Sequence, residues 1–402
     1  MMKGWLKSCK TAKDQQNGEH LKQLLSLSYL PANYSSPLQF WGLVGRFGTE
    51  KLDVLVDQSI RRDEFLKTLL KLHLKFLSNV NEKDWKTGFF TQKQLTDYLL
   101  TQYENNNAWL LEPLLEMCLQ LRVVAALFSK TGAGDAATDS LDNAMQVLMH
   151  CYLKISKDDY GKRQGAMCMA NHICKILFLK NNVARCSHYF KGIGQLGLSD
   201  NDFPVSHLVT YNFYYGRVHL YEGNYPQARK ALEEAFLKCS PSSPKNKRLA
   251  LIFLIPVRLL GGKIPPMYLL KKYNLFEEYN DLIRAVRSGN LSRFNKAMDE
   301  KGDFFIKMGV YLIIEKLRLL VLRNLIKKYY TIMKQNENGK AHMIPLGNIT
   351  TIYRSFGHEL DDDEMECMVA GLIEQRYVRG YISHAHQKLV MAKENAFPES
   401  LV

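Results

Sequence analysis

No two cysteines in this chain form a CxxC pair, although there are eight of them in 402 residues. Several lie on apolar helical faces, where a free thiol packs as a small hydrophobe, so a reducing compartment is expected. The longest apolar run, "LALIFLIPVRLL", falls far short of the ~20 residues that cross a bilayer. The opening "MMKGWLKSCKTAKDQQNGEH" is basic but has no apolar core of the kind a secretory signal carries. Gly-x-Ser-x-Gly, Walker A and HExxH patterns are all missing, so hydrolase, nucleotide-binding loop and zinc-protease readings have nothing to start from. Acid is also in short supply: 40 Asp and Glu face 54 Lys and Arg, a net charge of +14 that favours polyanions or acidic proteins as partners. These absences predict a soluble intracellular protein that is not an enzyme and needs no cofactor or metal.

What is present is helix. Hydrophobic residues make up 46% of the chain, enough for a sizeable core. In "DEFLKTLLKLHLKFLSNV" they recur at three and four, with Phe65, Leu69, Leu72 and Phe76 on one stripe. "NAWLLEPLLEMCLQLRVVAALFSK" continues the pattern, "TGAGDAATDS" interrupts it as a loop, and "LDNAMQVLMHCYLKI" resumes it.

An internal echo organises the rest. "HLYEGNYPQARKALEEA" and "AVRSGNLSRFNKAMDE" share a helix end, a Gly-Asn turn and a new helix. Their asparagines, Asn224 and Asn290, stand 66 positions apart, about twice the ~33-residue period of stacked helical pairs. Gly223 and Gly289 suit the left-handed conformation that ends a helix, and each Asn can cap the next one. "LKNNVARCSHYFKG" is a weaker copy, with Asn182 in the same role. Around the best copy, Gly216, Gly223, Tyr225, Ala228 and Ala235 have spacings that resemble a tetratricopeptide repeat, whose small residues let paired helices approach. A stack of this kind needs a lid over its last apolar face. From Met343 the order is helix ("MIPLGNITTIYRSFG", bounded by Pro345 and Gly357), helix ("DDDEMECMVAGLIEQRY") and a period-two hairpin ("YVRGYIS", "KLVMA"), which is the order of a winged helix. The expected fold is therefore mainly α: a right-handed superhelix of tetratricopeptide-like pairs capped by a C-terminal winged helix. Residues 1–205 would form a helical repeat region, 206–305 the repeat part of the terminal domain and 306–402 its winged-helix part.

Helical pairs ending in a winged helix resemble the PCI family, named for the proteasome lid, the COP9 signalosome and translation-initiation complexes. The stretches "SSPKNKRLALIFLIPVRLLGGKIPPMYLLKKYNL" and "VRGYISHAHQKLVMAKENAFP" carry the closest likeness, to the branch that couples transcription to messenger RNA export. The likeness covers most of the chain, loosest before Gly161, and "MMKGWLKSCK" lacks the longer helical lead-in expected of the family. It implies a non-enzymatic subunit of the second transcription-and-export complex, in the nucleus and at its pores, with a cytoplasmic share. Its partners would be a large scaffold of the germinal-centre-associated nuclear protein type, a small acidic Dss-type subunit, and RNA or DNA held by the backbone. A signalosome-like or proteasome-lid-like assembly is the alternative within the same fold.

The candidate nucleic-acid residues are Arg323, Lys327 and Lys328 on the long helix before the module, and Arg376, Arg379, Lys388 and Lys393 around the hairpin, which would make a phosphate-binding face if they converge. "KNKR" (Lys245 to Arg248) with Lys271 and Lys272 would extend it. Tyr377 and Tyr381 are the candidate partner anchors; Phe356 is a third aromatic of the module but is expected in the core. Asp361 to Gln375, the helix that would enter a DNA groove, carries no Lys or Arg, so it offers no bidentate base reader and sequence-specific DNA control is disfavoured. "GIGQLG" matches GxGxxG but follows a helix, not a strand, and reads as an interhelical turn. Cys168, His172, Cys174, Cys186 and His188 lack structural-zinc spacing and read as core; His384 and His386 read as solvated turn residues.

Overall fold

The computed structural model describes residues 2–28, 48–105, 108–132, 134–158, 160–336, 342–357 and 359–398. Two compact units divide the chain, Met1–Tyr214 and Tyr215–Val402. None of the described helices is long and apolar enough to cross a membrane.

Every described element of the first unit is helical. Its long helices, Glu64–Asn81, Trp85–Glu104, Leu111–Ser129, Ser140–Lys157 and Gly165–Leu179, pack each against the next. Their starts are written locally: the Asp63 carboxylate accepts from Leu66 N at 3.0 Å and that of Asp84 from Thr87 N at 3.1 Å, each satisfying a donor that the first turn leaves open. The buried face of Glu64–Asn81 is Leu66, Leu69, Leu70, His73, Leu74 and Leu77, with Phe76 beside it, while Phe65 and Leu72 stay half-exposed. The expected stripe was thus rotated by about one position, because helices cover this one on more than one side. Phe65 instead stacks on Tyr98 with centroids 6.1 Å apart. Within "TGAGDAATDS" a helical turn forms at Asp135–Thr138.

In the second unit the Gly-Asn turns behave as the echo requires. Gly223 and Gly289 have φ of 79° and 68°, and the Asn224 and Asn290 side chains accept from the backbone N–H three residues on, at 3.4 and 2.9 Å. The weaker copy departs from the pattern: Asn182 makes no side-chain cap, and the left-handed residue there is Asn181. Gly216 is needed for close approach, since a Cβ on it would meet Leu232 Cγ at 2.7 Å, which lets Val205–Tyr221 lie against Tyr225–Lys238. Pro244–Leu260 is buried almost all round, and the hydroxyl of the fully buried Tyr279 donates to Ile252 O on it at 2.8 Å. Phe276–Ser288 then packs against both Leu291–Met308 and Leu317–Asn336.

The described residues between Met343 and Met391 form a winged helix, as expected, with one element that the sequence reading placed in a helix. Met343–Pro345 is a strand, β1, preceding the helices Leu346–Arg354 and Asp362–Glu374. With β2 (Gly380–Ser383) and β3 (Lys388–Met391) it makes an antiparallel sheet of order β1-β3-β2, in which Ile344 and Ile382 both oppose Leu389. Three residues ahead of a helix show no period, so the pairing of β1 is a long-range event that local pattern does not carry. Leu389 and Met391 on β3 are buried, as are Leu346, Ile349, Met365, Val369 and Leu372 on the two helices. Asp361 opens the second helix with a capping box: its carboxylate accepts from Glu364 N at 2.7 Å, and Glu364 accepts from Asp361 N at 3.0 Å.

Candidate nucleic-acid and partner surfaces

Two groups of the expected cations occupy different surfaces. On Leu317–Asn336, Lys327 and Lys328 are exposed and line a cleft of about 410 Å³ with Arg287, Asn324 and Thr331. Arg287, in the last turn of Phe276–Ser288, was missed by the sequence reading; it is a lone Arg in a helix end, and only the packing of two helices sets it beside the lysines. Among the described residues none of Arg287, Lys327 and Lys328 has an acidic partner, and such a row holds phosphate oxygens by charge, without reading bases.

Arg323 lines the same cleft but is not a free cation, which corrects the expectation for it. It is buried, and its guanidinium donates to Pro398 O at 3.0 Å, to Asn324 Oδ1 at 2.8 Å and, at 3.5 Å, to Tyr377 O. The same group lies over the Phe397 ring, 5.4 Å from its centroid, and desolvation holds its pKa below the ordinary Arg range. It ties the winged helix and the segment after β3 to the long helix. Tyr377 is corrected too: it is 7% exposed and belongs to the core. Phe356, expected inside, is only part-buried.

The second group surrounds the sheet. Alternation along β3 turns Leu389 and Met391 inward, so Lys388 and Val390 face out; register sets Ser383 opposite Lys388 and Tyr381 opposite Val390. On β1, Met343 also opposes Val390. The outer face therefore carries a row of Met343, Val390 and Tyr381, the last 63% exposed, flanked by Lys388. Arg379, two residues before Tyr381, is exposed on that side, and its backbone is fixed by Ala396 O accepting from Arg379 N at 2.8 Å. Arg376 and Lys393 are exposed at the rim. Among the described residues β2 pairs only with β3, which leaves its other edge open.

Two of the other cations are taken up. Lys247 is buried, with Nζ donating to Phe236 O at 2.7 Å, and Arg248 pairs with Glu278 at 2.9 Å. Lys245, Lys271 and Lys272 stay exposed, the last two over the rings of Phe276 and Tyr273. His384 is solvated, as expected, and lies 2.9 Å from Glu366 on the acidic helix; the hydrogen bond between them raises its pKa. Glu366 and the Asp361 box make that helix a structural element with no cation for a DNA groove. Cys168 and His172 are 3.5 Å apart, but among the described residues no three His, Cys, Asp or Glu side chains gather as a metal would need. "GIGQLG" spans the end of the Cys186–Gly194 helix and the turn after it.

Helical pairs that close on a winged helix, with its sheet face and one edge open, define a PCI-type protein. The PCI domain profile matches residues 270–393, from Leu270 near the end of "PPMYLLKK" to just beyond β3. Over 342 residues the chain is 32% identical to PCI domain-containing protein 2 of Danio rerio, covering 82% of this chain and 84% of that one. Over 351 residues it is 33% identical to the Drosophila melanogaster homolog of that protein, covering 84% and 87%. It is 30% identical over 347 residues to enhanced ethylene response protein 5 of Arabidopsis thaliana, covering 86% and 84%. The chain belongs to the PCI domain-containing protein 2 family.

Proposed function

We propose that this protein is a non-enzymatic scaffold subunit of a nuclear complex that couples transcription to messenger RNA export. It would bind a large export scaffold of the germinal-centre-associated nuclear protein type and a small acidic Dss-type subunit, and contribute cations to the RNA or DNA backbone. The observation that carries this reading is the sheet face of the winged helix, where Tyr381 is 63% exposed beside Val390 and Met343 and next to an unpaired β2 edge. An apolar row with a cationic rim and an open strand is a docking surface for another chain. The cleft of Arg287, Lys327 and Lys328 supports the nucleic-acid part, and the net charge of +14 supports both an acidic partner and a polyanion.

The test is affinity purification of the tagged chain from nuclear extract with the partners identified by mass. Recovery of an export scaffold, lost in Tyr381→Ala while the variant keeps its fold, is the expected result. Recovery of signalosome or proteasome-lid subunits alone would refute the assignment.

A further inference from the structure

A second cleft, of about 320 Å³, lies in the first unit between Leu111–Ser129, Gly165–Leu179 and the start of Val205–Tyr221. At its centre is Arg122, only 7% exposed. Its Nε donates to His172 Nδ1 at 3.1 Å, so that ring is a neutral acceptor; burial, with the charge of Arg122 second, pushes the His172 pKa down to about 3. The four N–H groups of the Arg122 fork have no acceptor among the described residues, and no carboxylate pairs with it there. A buried guanidinium without a counter-charge is costly, and natural structures keep one where something else supplies the charge.

Lys175 lines the same cleft and likewise has no carboxylate partner among the described residues; burial first and the repulsion of Arg122 second lower its pKa. The other charged groups there have partners of their own: Lys22 pairs with Glu112 at 2.7 Å and Glu19 at 3.2 Å, and Glu116 keeps its charge while accepting from Gln120 Nε2 at 3.0 Å. Arg122 and Lys175 are thus the two cations of the wall without an ion pair among the described residues, and a phosphate monoester can accept from both. The hydroxyls of Thr210 and Tyr214 stand on the same wall. Asn171 Oδ1 is buried without a hydrogen-bond partner and asks for a ligand that also donates, and His207 Nδ1, also without one, can accept or donate according to tautomer. Leu115 and Leu119 form the apolar side.

We infer that this cleft is a binding site for a small phosphate monoester that carries hydroxyl or amino donors, its phosphate clamped by Arg122 and Lys175. The volume is at the low end of ligand sites and admits one such molecule. The inference is independent of the export reading, because none of its residues belongs to the winged helix or to the Lys327 cleft.

The full chain is titrated with inorganic phosphate, adenosine 5′-monophosphate and O-phosphoserine at matched ionic strength, by calorimetry and thermal unfolding. At least one ester is expected to raise the midpoint by about 2–4 °C at saturating concentration. Binding should weaken at least tenfold in Lys175→Gln and vanish in Arg122→Gln, while Lys327→Ala leaves it unchanged. Without ligand, Arg122→Gln should unfold at the same temperature as wild type or higher, since the substitution removes an unpaired buried charge; a structural cation would do the opposite. If Arg122→Gln does not fold, the exposed Lys175→Gln decides the matter alone. Failure of all three compounds to bind, or equal binding by wild type and Lys175→Gln, overturns the site.

Discussion

Arg323 donates to the carbonyl oxygen of Pro398 at 3.0 Å across 75 residues of chain, and that single bond joins the middle of a helix to the segment that follows the winged helix. Replacing it by Met keeps the stem and leaves the Pro398 and Tyr377 carbonyls without their donor. A loss of about 1–3 kcal/mol is expected in urea unfolding, with faster amide exchange at Arg379, whose N–H bonds Ala396 O. RNA affinity should move less than in the lysine variants below; an unchanged urea midpoint would show that the tether is not holding the segment.

Lys327→Ala with Lys328→Ala and Arg287→Ala should weaken binding to unrelated single-stranded RNAs to a similar degree. Each lost phosphate contact should reduce the slope of log K against log salt by about 0.7. Sequence-dependent losses, or an unchanged slope, would remove the cleft from the nucleic-acid surface.

His73 has no solvent exposure and sits between Trp5, 6.3 Å away by centroid, and Phe76; desolvation pushes its pKa down to about 3. The folded-state value is below the unfolded one, near 6.5, so between the two only the unfolded chain binds the proton. Stability is then complete above about pH 6.5 and falls as pH drops, by about 2 kcal/mol at pH 5 from this group. His73→Leu should flatten that part of a pH series of unfolding midpoints, and an equal slope in both proteins would contradict it.

Gly289 ends its helix at φ 68°, and a Cβ there would lie 2.5 Å from Leu325 N on the neighbouring helix. Gly289→Ala should cost about 2–4 kcal/mol, part left-handed strain and part displacement of that helix, measured by chemical unfolding. Asn290→Ala, which removes only the cap on Arg293 N, should cost about 1 kcal/mol.

The Gly-Asn turns were legible because a cap and a left-handed glycine are local, set by residues next to one another. The winged helix was legible for the same reason, since its acid-capped helix and period-two strands each declare themselves within a few residues. The site was harder. Lys327 and Lys328 stand adjacent in the chain, but Arg287 joins them only through helix packing. Lys247 and Arg323 look like surface charges in a string of letters and prove to be buried, because their partners, Phe236 O and Pro398 O, are backbone atoms with no sequence signature. Tyr377 and Tyr381, alike on paper, are 7% and 63% exposed. Tyr377 follows a left-handed Arg376 that turns it into the core, whereas strand alternation turns Tyr381 out.

By itself the sequence determined most of the elements and their order: where helices start, which turn joins the pairs, and that a hairpin follows the last helix, though not strand β1. Those follow from short-range sterics and hydrogen bonds that act within one or two turns. Which cations remain free, which aromatics face outward, and that Arg122 and Lys175 share a cleft with no ion pair of their own among the described residues were decided by the tertiary structure alone. Burial and charge compensation depend on what the other helices bring alongside, and no spacing along the chain encodes that.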